Sequence, residues 1–259
     1  MSLVLSIFPG IDLLGRAFEE CGFCVVRGPD VIFGGDIRGW HVPAGRFDGV
    51  IGGPPCQCFS RLAHMVRHNG YEPKFGNLIP EFERVVSEAS PLWFLMEEVP
   101  DAPAPKVDGY GVHSFVFNNR QTGESQNRSR RISFGWRGRR RVLQVEVVAL
   151  ENPQWDYAAT GGGRATPVAI DGSGKVKYAI TSQAVLKGKL KRRMSSIVGS
   201  NIKSGLQFRE LCRLQGLPDD FDLPEMKVEA KCQAVGNGVP LAMGRALAKA
   251  VLELEGTKP

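Results

Sequence analysis

The sequence has no apolar run near the roughly 18 residues that a membrane-spanning helix needs, so that class of protein is set aside. Its apolar start, MSLVLSIFPG, lacks the basic region and small-residue cleavage site of a secretory signal. The expected compartment is the cytoplasm, with thiols reduced. Metal ligands are also scarce. Six cysteines are present, but only Cys21 and Cys24 form a CxxC pair. No second pair and no Cys/His cluster completes a four-ligand zinc site, so no metal is expected and the thiols read as packing residues. Internal repeats and long low-complexity stretches are missing too, which excludes a solenoid or a disordered chain. What remains is 259 residues, enough for one large domain, or one plus a small appendage, and for a real core.

The charge is uneven. Residues 1–119 carry a net −5, residues 120–208 a net +12, and residues 209–259 a net −1. The excess lies in three runs, RQTGESQNRSRR, RGRRR and KGKLKRR. Three runs in one segment favour a polyanion partner over a merely solvated face.

Apolar patterning in the first hundred residues alternates between strands and helices. LVLSIF (3–8), FCVV (23–26), FDGVIGG (47–53) and LWFLMEEV (92–99) read as buried strands. Apolar positions 13, 14, 17, 18 and 21, and then 79, 82, 85, 86 and 89, read as helix faces. Strand and helix in alternation predict a mostly parallel sheet with flanking helices, an α/β fold whose ligands bind beyond the carboxyl ends of the strands. A helix over FRELCRLQGLP and a closing helix over 239–255 follow. Residues 142–208, rich in Gly, Lys, Ser and Thr, read as a small loop-rich basic insert, so that 1–141 and 209–259 form the main domain.

Four stretches carry chemistry. SIFPGID puts a glycine where chain turns from strand to helix, a geometry that suits a nucleotide-like ligand. GGPPCQCFS (52–60) follows a strand with two rigid prolines and then Cys56, whose thiol is a nucleophile once ionised. FLMEEVP ends a buried strand in carboxylates, and burial raises a carboxyl pKa toward neutrality. In QNRSRRISFG, Arg128 and Arg130 share one face of an extended strand.

Together these motifs resemble the DNA (cytosine-5)-methyltransferase family from end to end. FPGI (8–11) resembles its cofactor loop, PPCQCFS (54–60) its Pro-Cys nucleophile loop, and EEV (97–99) its Glu-Asn-Val motif. QNRSR (126–130) matches Gln-x-Arg-x-Arg, RELCRLQGLP (209–218) is similar to the Arg…Gln-Gly-Phe-Pro helix, and GNGVP (236–240) to Gly-Asn-Ser-Val-Pro. The resemblance implies a Rossmann-like S-adenosylmethionine-dependent methyltransferase fold with a small target-recognition insert over 142–208. It implies transfer of a methyl group from S-adenosyl-L-methionine to carbon 5 of a cytosine flipped out of double-stranded DNA.

By the same resemblance, Cys56 adds to carbon 6 of the base, Glu97 meets ring nitrogen 3, Arg130 holds the carbonyl oxygen, and Arg128 lies near the thiolate. The implied cofactor residues are Phe8, Gly10, Ile11, Asp12, Asp30, Asp36, Pro55, Asn237 and Val239. The implied nucleic-acid contacts are Gln57, Ser60, Arg61, Arg131, Lys187, Lys189, Lys191, Arg192, Arg193 and Arg209.

The chain departs from the pattern at Asp12, where a glycine is usual, and at Glu98, where the family has Asn. Only five residues separate Asp30 from Asp36, which predicts a trimmed sheet edge. The short insert suggests a short or degenerate site and a solitary or phage-borne enzyme, acting as a monomer in a bacterial or phage-infected cell. An RNA (transfer RNA) cytosine-5 methyltransferase and a non-catalytic DNA-binding relative stand as alternatives.

Overall fold

The structure, a computed structural model, describes residues 1–55, 58–59, 76–148, 156–157 and 204–256. The chain divides into two compact units. The first comprises residues 1–124, 129–151 and 239–259, and the second residues 125–128 and 152–238.

The first unit is built on one sheet. Its strands are β1 (Leu3–Ile7), β2 (Cys24–Arg27), β3 (Gly49–Gly52), β4 (Trp93–Glu98), β5 (Tyr110–Asn118) and β7 (Ser129–Arg137). Among the described residues their order is β2-β1-β3-β4-β7-β5. The first four are parallel, and β7 runs antiparallel to both its neighbours, β4 and β5, with Trp93 opposite Trp136 and Glu98 opposite Arg131.

The helices cover both faces because strand residues alternate. Val4, Ile51, Leu95, Phe134 and Trp93 point into one core. There they meet Leu14 and Phe18 of α1 (Leu13–Glu20), and Met243, Leu247 and Val251 of the closing helix α5 (Leu241–Gly256). Leu5, Ile7, Val50, Phe94 and Met96 point to the other side, against Ile79, Phe82, Val85 and Val86 of α2 (Ile79–Ala89). The central strands β1, β3 and β4 are mostly apolar because both faces are covered, as in parallel sheets generally.

Between β2 and β3 the chain makes only two short 3-10 turns, Val31–Phe33 and Ile37–Gly39, each capped by an aspartate, Asp30 and Asp36. The predicted trimming of that edge is therefore present: β2 is the edge strand, and no α-helix separates it from β3.

The second unit contains α3 (Ser204–Leu214), α4 (Val228–Asn237) and a short parallel pair, β6 (Gln126–Asn127) with β8 (Asp156–Tyr157). Helices 204–214 and 228–237 thus group with the insert.

Candidate active site

Two neighbouring features occupy the carboxyl end of the parallel strands in the first unit. The first is a cleft of about 230 Å³ lined by Phe8, Pro29, Asp30, Val31, Asp36, Ile37, Pro55 and Leu78, among others. It forms because β1 ends in a turn of three left-handed residues, Phe8, Gly10 and Asp12, with φ of 54°, 56° and 54°. Only Gly10 takes that conformation freely; Phe8 and Asp12 hold it at a cost.

The turn is fixed from two sides. Gly10 N donates to Asp30 Oδ2 at 2.9 Å, while Asp30 Oδ1 accepts from Ile32 N. Asp12 faces the protein. Its Oδ1 accepts from Ser6 Oγ (2.7 Å) and from Gly15 N (3.0 Å) as the N-cap of α1, and Arg27 Nε lies 2.8 Å from Oδ2. Burial pushes the Asp12 carboxyl above its usual range, and Ser6, Arg27 and Gly15 draw it back. A Cβ on Gly15 would sit 2.1 Å from Asp12 Oδ2, so the glycine is what lets this acid tuck under the helix. The residue that departs from the family pattern is thus a helix cap whose oxygens are engaged within the protein.

Of the expected cofactor residues, Phe8, Asp30, Asp36 and Pro55 line the cleft, and Gly10 is bonded to one of its acids. Ile11, half-buried, belongs to the same turn. Val239 is buried in the core beside α5 and is not among the cleft-lining residues. Asn237 is the last residue of α4 and belongs to the second unit. Two carboxylates at the rim of an apolar slot suit a ligand with hydroxyl or amino donors on an aromatic or sugar body, and the residues present therefore fit an adenosyl group.

The second feature is the end of β4. Glu97 is 8% exposed, and Arg130 Nε on β7 lies 2.7 Å from Glu97 Oε1. Across the sheet, a Cβ on Gly53 would lie 2.9 Å from Glu97 Oε2, so the glycine backbone passes close beside the carboxylate. Glu97 is thereby pinned between an arginine and the turn that leads into Pro54, Pro55 and Cys56. A buried carboxylate needs such a partner.

Other expected residues are placed differently. Arg128, 2% exposed, donates from Nη2 to the carbonyls of Gly238 (3.1 Å) and Asn237 (3.5 Å) in the second unit. Arg131 donates twice to Pro100 O, at 3.1 and 2.8 Å. Arg209 donates to the carbonyls of Asp219 and Phe221. The last two guanidiniums, expected on nucleic acid, hold loops in place. Cys56, Gln57, Ser60, Arg61, Lys187, Lys189, Lys191, Arg192 and Arg193 lie outside the described residues.

The run RGRRR also falls elsewhere than a phosphate path at the pocket would require. Because β7 is antiparallel to β4, Arg137 lies beside Leu92 at the start of β4 and Arg131 opposite its last residue, Glu98. Arg137, Arg139 and Arg140 are therefore exposed at the end of the sheet away from Glu97, with Arg137 bonded to Ser90 and Arg141 stacked 4.2 Å over Trp136.

Sequence reasoning missed two glutamines. Gln126 is buried and its amide donates to Leu214 O. Gln215 is fully buried and donates to the carbonyls of Val235 (2.7 Å) and Gly238 (2.9 Å). Together with Arg128 they tie the QNR motif, the end of α3 and the GNG turn into one network within the second unit. The signal was available: both glutamines sit in motifs, and a glutamine among apolar residues needs partners when buried.

A clasp at Asp156 was also missed. It accepts from Ser125 Oγ (2.6 Å) and Arg213 Nη2 (3.0 Å), which hold its carboxyl below the usual range. Among the described residues, no cluster of His, Cys, Asp and Glu is arranged for a metal ion, and no helix is long and apolar enough to cross a membrane.

A mixed sheet with a cleft and a paired carboxylate at its carboxyl end is an α/β arrangement that binds a ligand beyond its strand ends. Known proteins agree. Solved structures of the same fold include a prophage-encoded E. coli protein described as a DNA modification methyltransferase. It is 16% identical over 99% of this chain and 100% of that one, with a TM-score of 0.62. Spodoptera frugiperda DNMT2 is another, 15% identical over 97% and 100%, with a TM-score of 0.56.

Among curated proteins, the Type II methyltransferase M1.HphI of Haemophilus parahaemolyticus is 27% identical, covering 83% of this chain and 70% of that protein. M.FnuDI of Fusobacterium nucleatum is 23% identical over 96% and 94%. The sequence model of the C-5 cytosine-specific DNA methylase family matches residues 34–160 and 172–253, and the chain belongs to that family. It is accordingly a DNA (cytosine-5)-methyltransferase with S-adenosyl-L-methionine as methyl donor.

Proposed function

We propose that Cys56 is the covalent nucleophile, that Glu97 and Arg130 bind and polarise a flipped-out cytosine in double-stranded DNA, and that the Phe8–Asp30–Asp36 cleft holds the adenosyl part of the cofactor. The observation that carries this reading is the Glu97–Arg130 pair, 2.7 Å apart, against the glycine that leads the chain into Pro54-Pro55-Cys56. S-adenosylmethionine supplies an electrophilic methyl group; the rest falls to this chain.

Carbon 5 of cytosine is a poor nucleophile. Addition of the Cys56 thiolate to carbon 6 forms the C–S bond and shifts an electron pair toward carbon 5, and a proton from Glu97 at nitrogen 3 accepts part of that charge. Arg130 is placed to donate to the base's carbonyl oxygen while keeping Glu97 in line. After methylation the carbon 5 proton leaves to a base, the C–S bond breaks, and the thiolate departs. Asp30 and Asp36 accept from donor groups of the cofactor, Phe8 and Ile37 cover its apolar surface, and Pro55 closes the slot toward Cys56.

Arg128, Gln126 and Gln215 keep the loop around Asn237 in shape. Residues 142–208 act as the target reader, and Lys187, Lys189 and Lys191 supply phosphate contacts. The curated relatives are Type II methyltransferases, which favours a restriction–modification setting over a solitary enzyme.

Incubating duplex DNA with the protein and S-adenosylmethionine, then analysing nucleosides by mass spectrometry, tests the reading. A 5-methylcytosine peak is expected, and Cys56→Ala should abolish it. A variant that still methylates at the native rate would overturn the nucleophile assignment. Methylation of transfer RNA in place of DNA would overturn the substrate.

A further inference from the structure

The trimmed link between β2 and β3 leaves one wall of the cleft thinly supported. Asp36, Ile37 and Arg38 line the cleft, yet they stand on or beside a three-residue 3-10 turn with no α-helix behind it. So short a turn has poor hydrogen-bond geometry and does not hold its own shape. The Asp36 side chain fixes its start by accepting from Arg38 N at 3.0 Å. The other end is held from a different element.

Arg84 lies in the middle of α2. Its Nη2 donates to Ile37 O at 2.7 Å and to Trp40 O at 3.0 Å, so one nitrogen closes the carbonyl end of the turn. Its Nε and Nη1 donate to Glu81 Oε2 (2.9 Å) and Glu88 Oε1 (2.7 Å), one helical turn away on either side. Glu88 reaches the same wall: Oε1 lies 3.0 Å from His41 Nδ1, and Oε2 accepts from Val42 N at 3.4 Å. Arg84 and Glu88 thus meet Ile37, Trp40, His41 and Val42, which stand 44 to 47 residues back in the chain.

Arg–Glu pairs along a helix are commonly solvated and contribute little. Here the two glutamates fix the plane of the guanidinium, and the third nitrogen points out of the helix at backbone carbonyls. The Arg84 side chain is only 26% exposed. Burial raises the Glu88 carboxyl, but Arg84, His41 and the Val42 N–H hold it below its usual range, so the pair stays ionised at neutral pH. Leu78, the residue before α2, also lines the cleft, so one helix ties together two parts of the lining. Arg84 itself is not among the lining residues.

We propose that Arg84 is a positioning residue for the methyl donor: with Glu88 it clamps the Asp36–Val42 wall to α2 and so sets the shape of the cleft that takes the adenosyl group. This rests on the reading of that cleft as the adenosyl site.

Calorimetric titration of the full chain with S-adenosylhomocysteine, the product left once the methyl group is given up, tests the clamp without DNA or turnover. Arg84→Met keeps the apolar stem and removes every donor. Its dissociation constant should rise about tenfold, the loss of pre-organisation worth one charge-assisted hydrogen bond. Arg84→Lys, whose single ammonium cannot serve two carbonyls and two carboxylates together, should fall between Met and the native chain. In methylation assays KM for S-adenosylmethionine should rise in parallel, while kcat at saturating cofactor and the affinity for duplex DNA stay within about twofold of native.

A chain that is merely less stable would lose binding stoichiometry and DNA affinity together and keep its affinity per site, and that result overturns the proposal. So does native cofactor affinity in both Arg84 variants when Asp36→Ala weakens binding, an outcome that leaves the cleft in place. Native affinity in all three, Asp36→Ala included, would sink the adenosyl reading of the cleft and the clamp with it.

Discussion

The two ends of the central sheet hold charges of both signs, yet they do different work. At the carboxyl end, Glu97 and Glu98 are buried, Glu97 is paired with Arg130, and the carboxyl of Glu98 is pushed up to about 8 by its burial. At the other end, Arg137, Arg139 and Arg140 stand in water. Burial, and not the number of charges, turns an ionisable side chain into a chemical tool. In water a charge is screened, whereas in a low-dielectric pocket its proton equilibrium and its partner dominate.

The largest test of that contrast is Glu97→Gln. The amide keeps the shape and removes the proton donor, so kcat should fall by about 10²- to 10⁴-fold while DNA affinity stays close to native. Single-turnover methylation beside a binding titration separates the two. A parallel loss of DNA binding would make Glu97 structural.

Glu98 gives the next effect, this time on stability. Its folded pKa of about 8 lies above the usual 4.5, so between these values the folded chain binds a proton that the unfolded chain has released. Stability contributed by Glu98 is thus full below about pH 4.5, declines as pH rises, and is gone above about 8. The slope approaches ~1.4 kcal/mol per pH unit in that window. Urea melts of native and Glu98→Gln protein across this range should converge at low pH and diverge toward pH 8, with the variant the more stable.

Asp12 sharpens the comparison from the cofactor side. Asp12→Ala removes the N-cap of α1 and the partner of Arg27 and should cost about 1–2 kcal/mol. Asp12→Asn, which keeps the cap oxygen, should cost less. Loss of cofactor affinity with unchanged stability would instead make Asp12 a ligand-facing acid.

The smallest effect expected is at the exposed end. Neutralising Arg139 and Arg140 should leave both kcat and the salt dependence of DNA binding unchanged. Neutralising Lys187, Lys189 and Lys191 should flatten the slope of log affinity against log salt by roughly 0.9 for each phosphate that is no longer neutralised. The reverse pattern would move the DNA path to the arginine end.

Much of the first unit was legible in the sequence. LVLSIF, FDGVIGG and LWFLMEEV form β1, β3 and β4 within a residue or two, because a strand covered on both faces must be a continuous apolar run. The helices at 13–20, 79–89 and 241–256 followed from apolar spacing. Strand β5, Tyr110–Asn118, was not foreseen, since YGVHSFVFN lies at a sheet edge and mixes polar and apolar residues without a strict alternation. In the site, Glu97, Arg130, Phe8, Asp30 and Asp36 were legible from motif and position. The roles of Gln126, Gln215 and Asp156 were not, because their partners lie 20 to 89 residues away along the chain.

The sequence by itself determined the family, the order of the strands and helices, and which residue types can do the chemistry, since each of these is carried by local pattern and spacing. Only the tertiary structure decided which of those residues are free to act. Asp12 became a cap, Arg131 and Arg209 became loop braces, and the RGRRR run was carried to the far end of the sheet by one antiparallel strand. The physical reason is common to all four. The state of a charged side chain depends on its solvent and its partners, and folding brings those partners from distant parts of the chain.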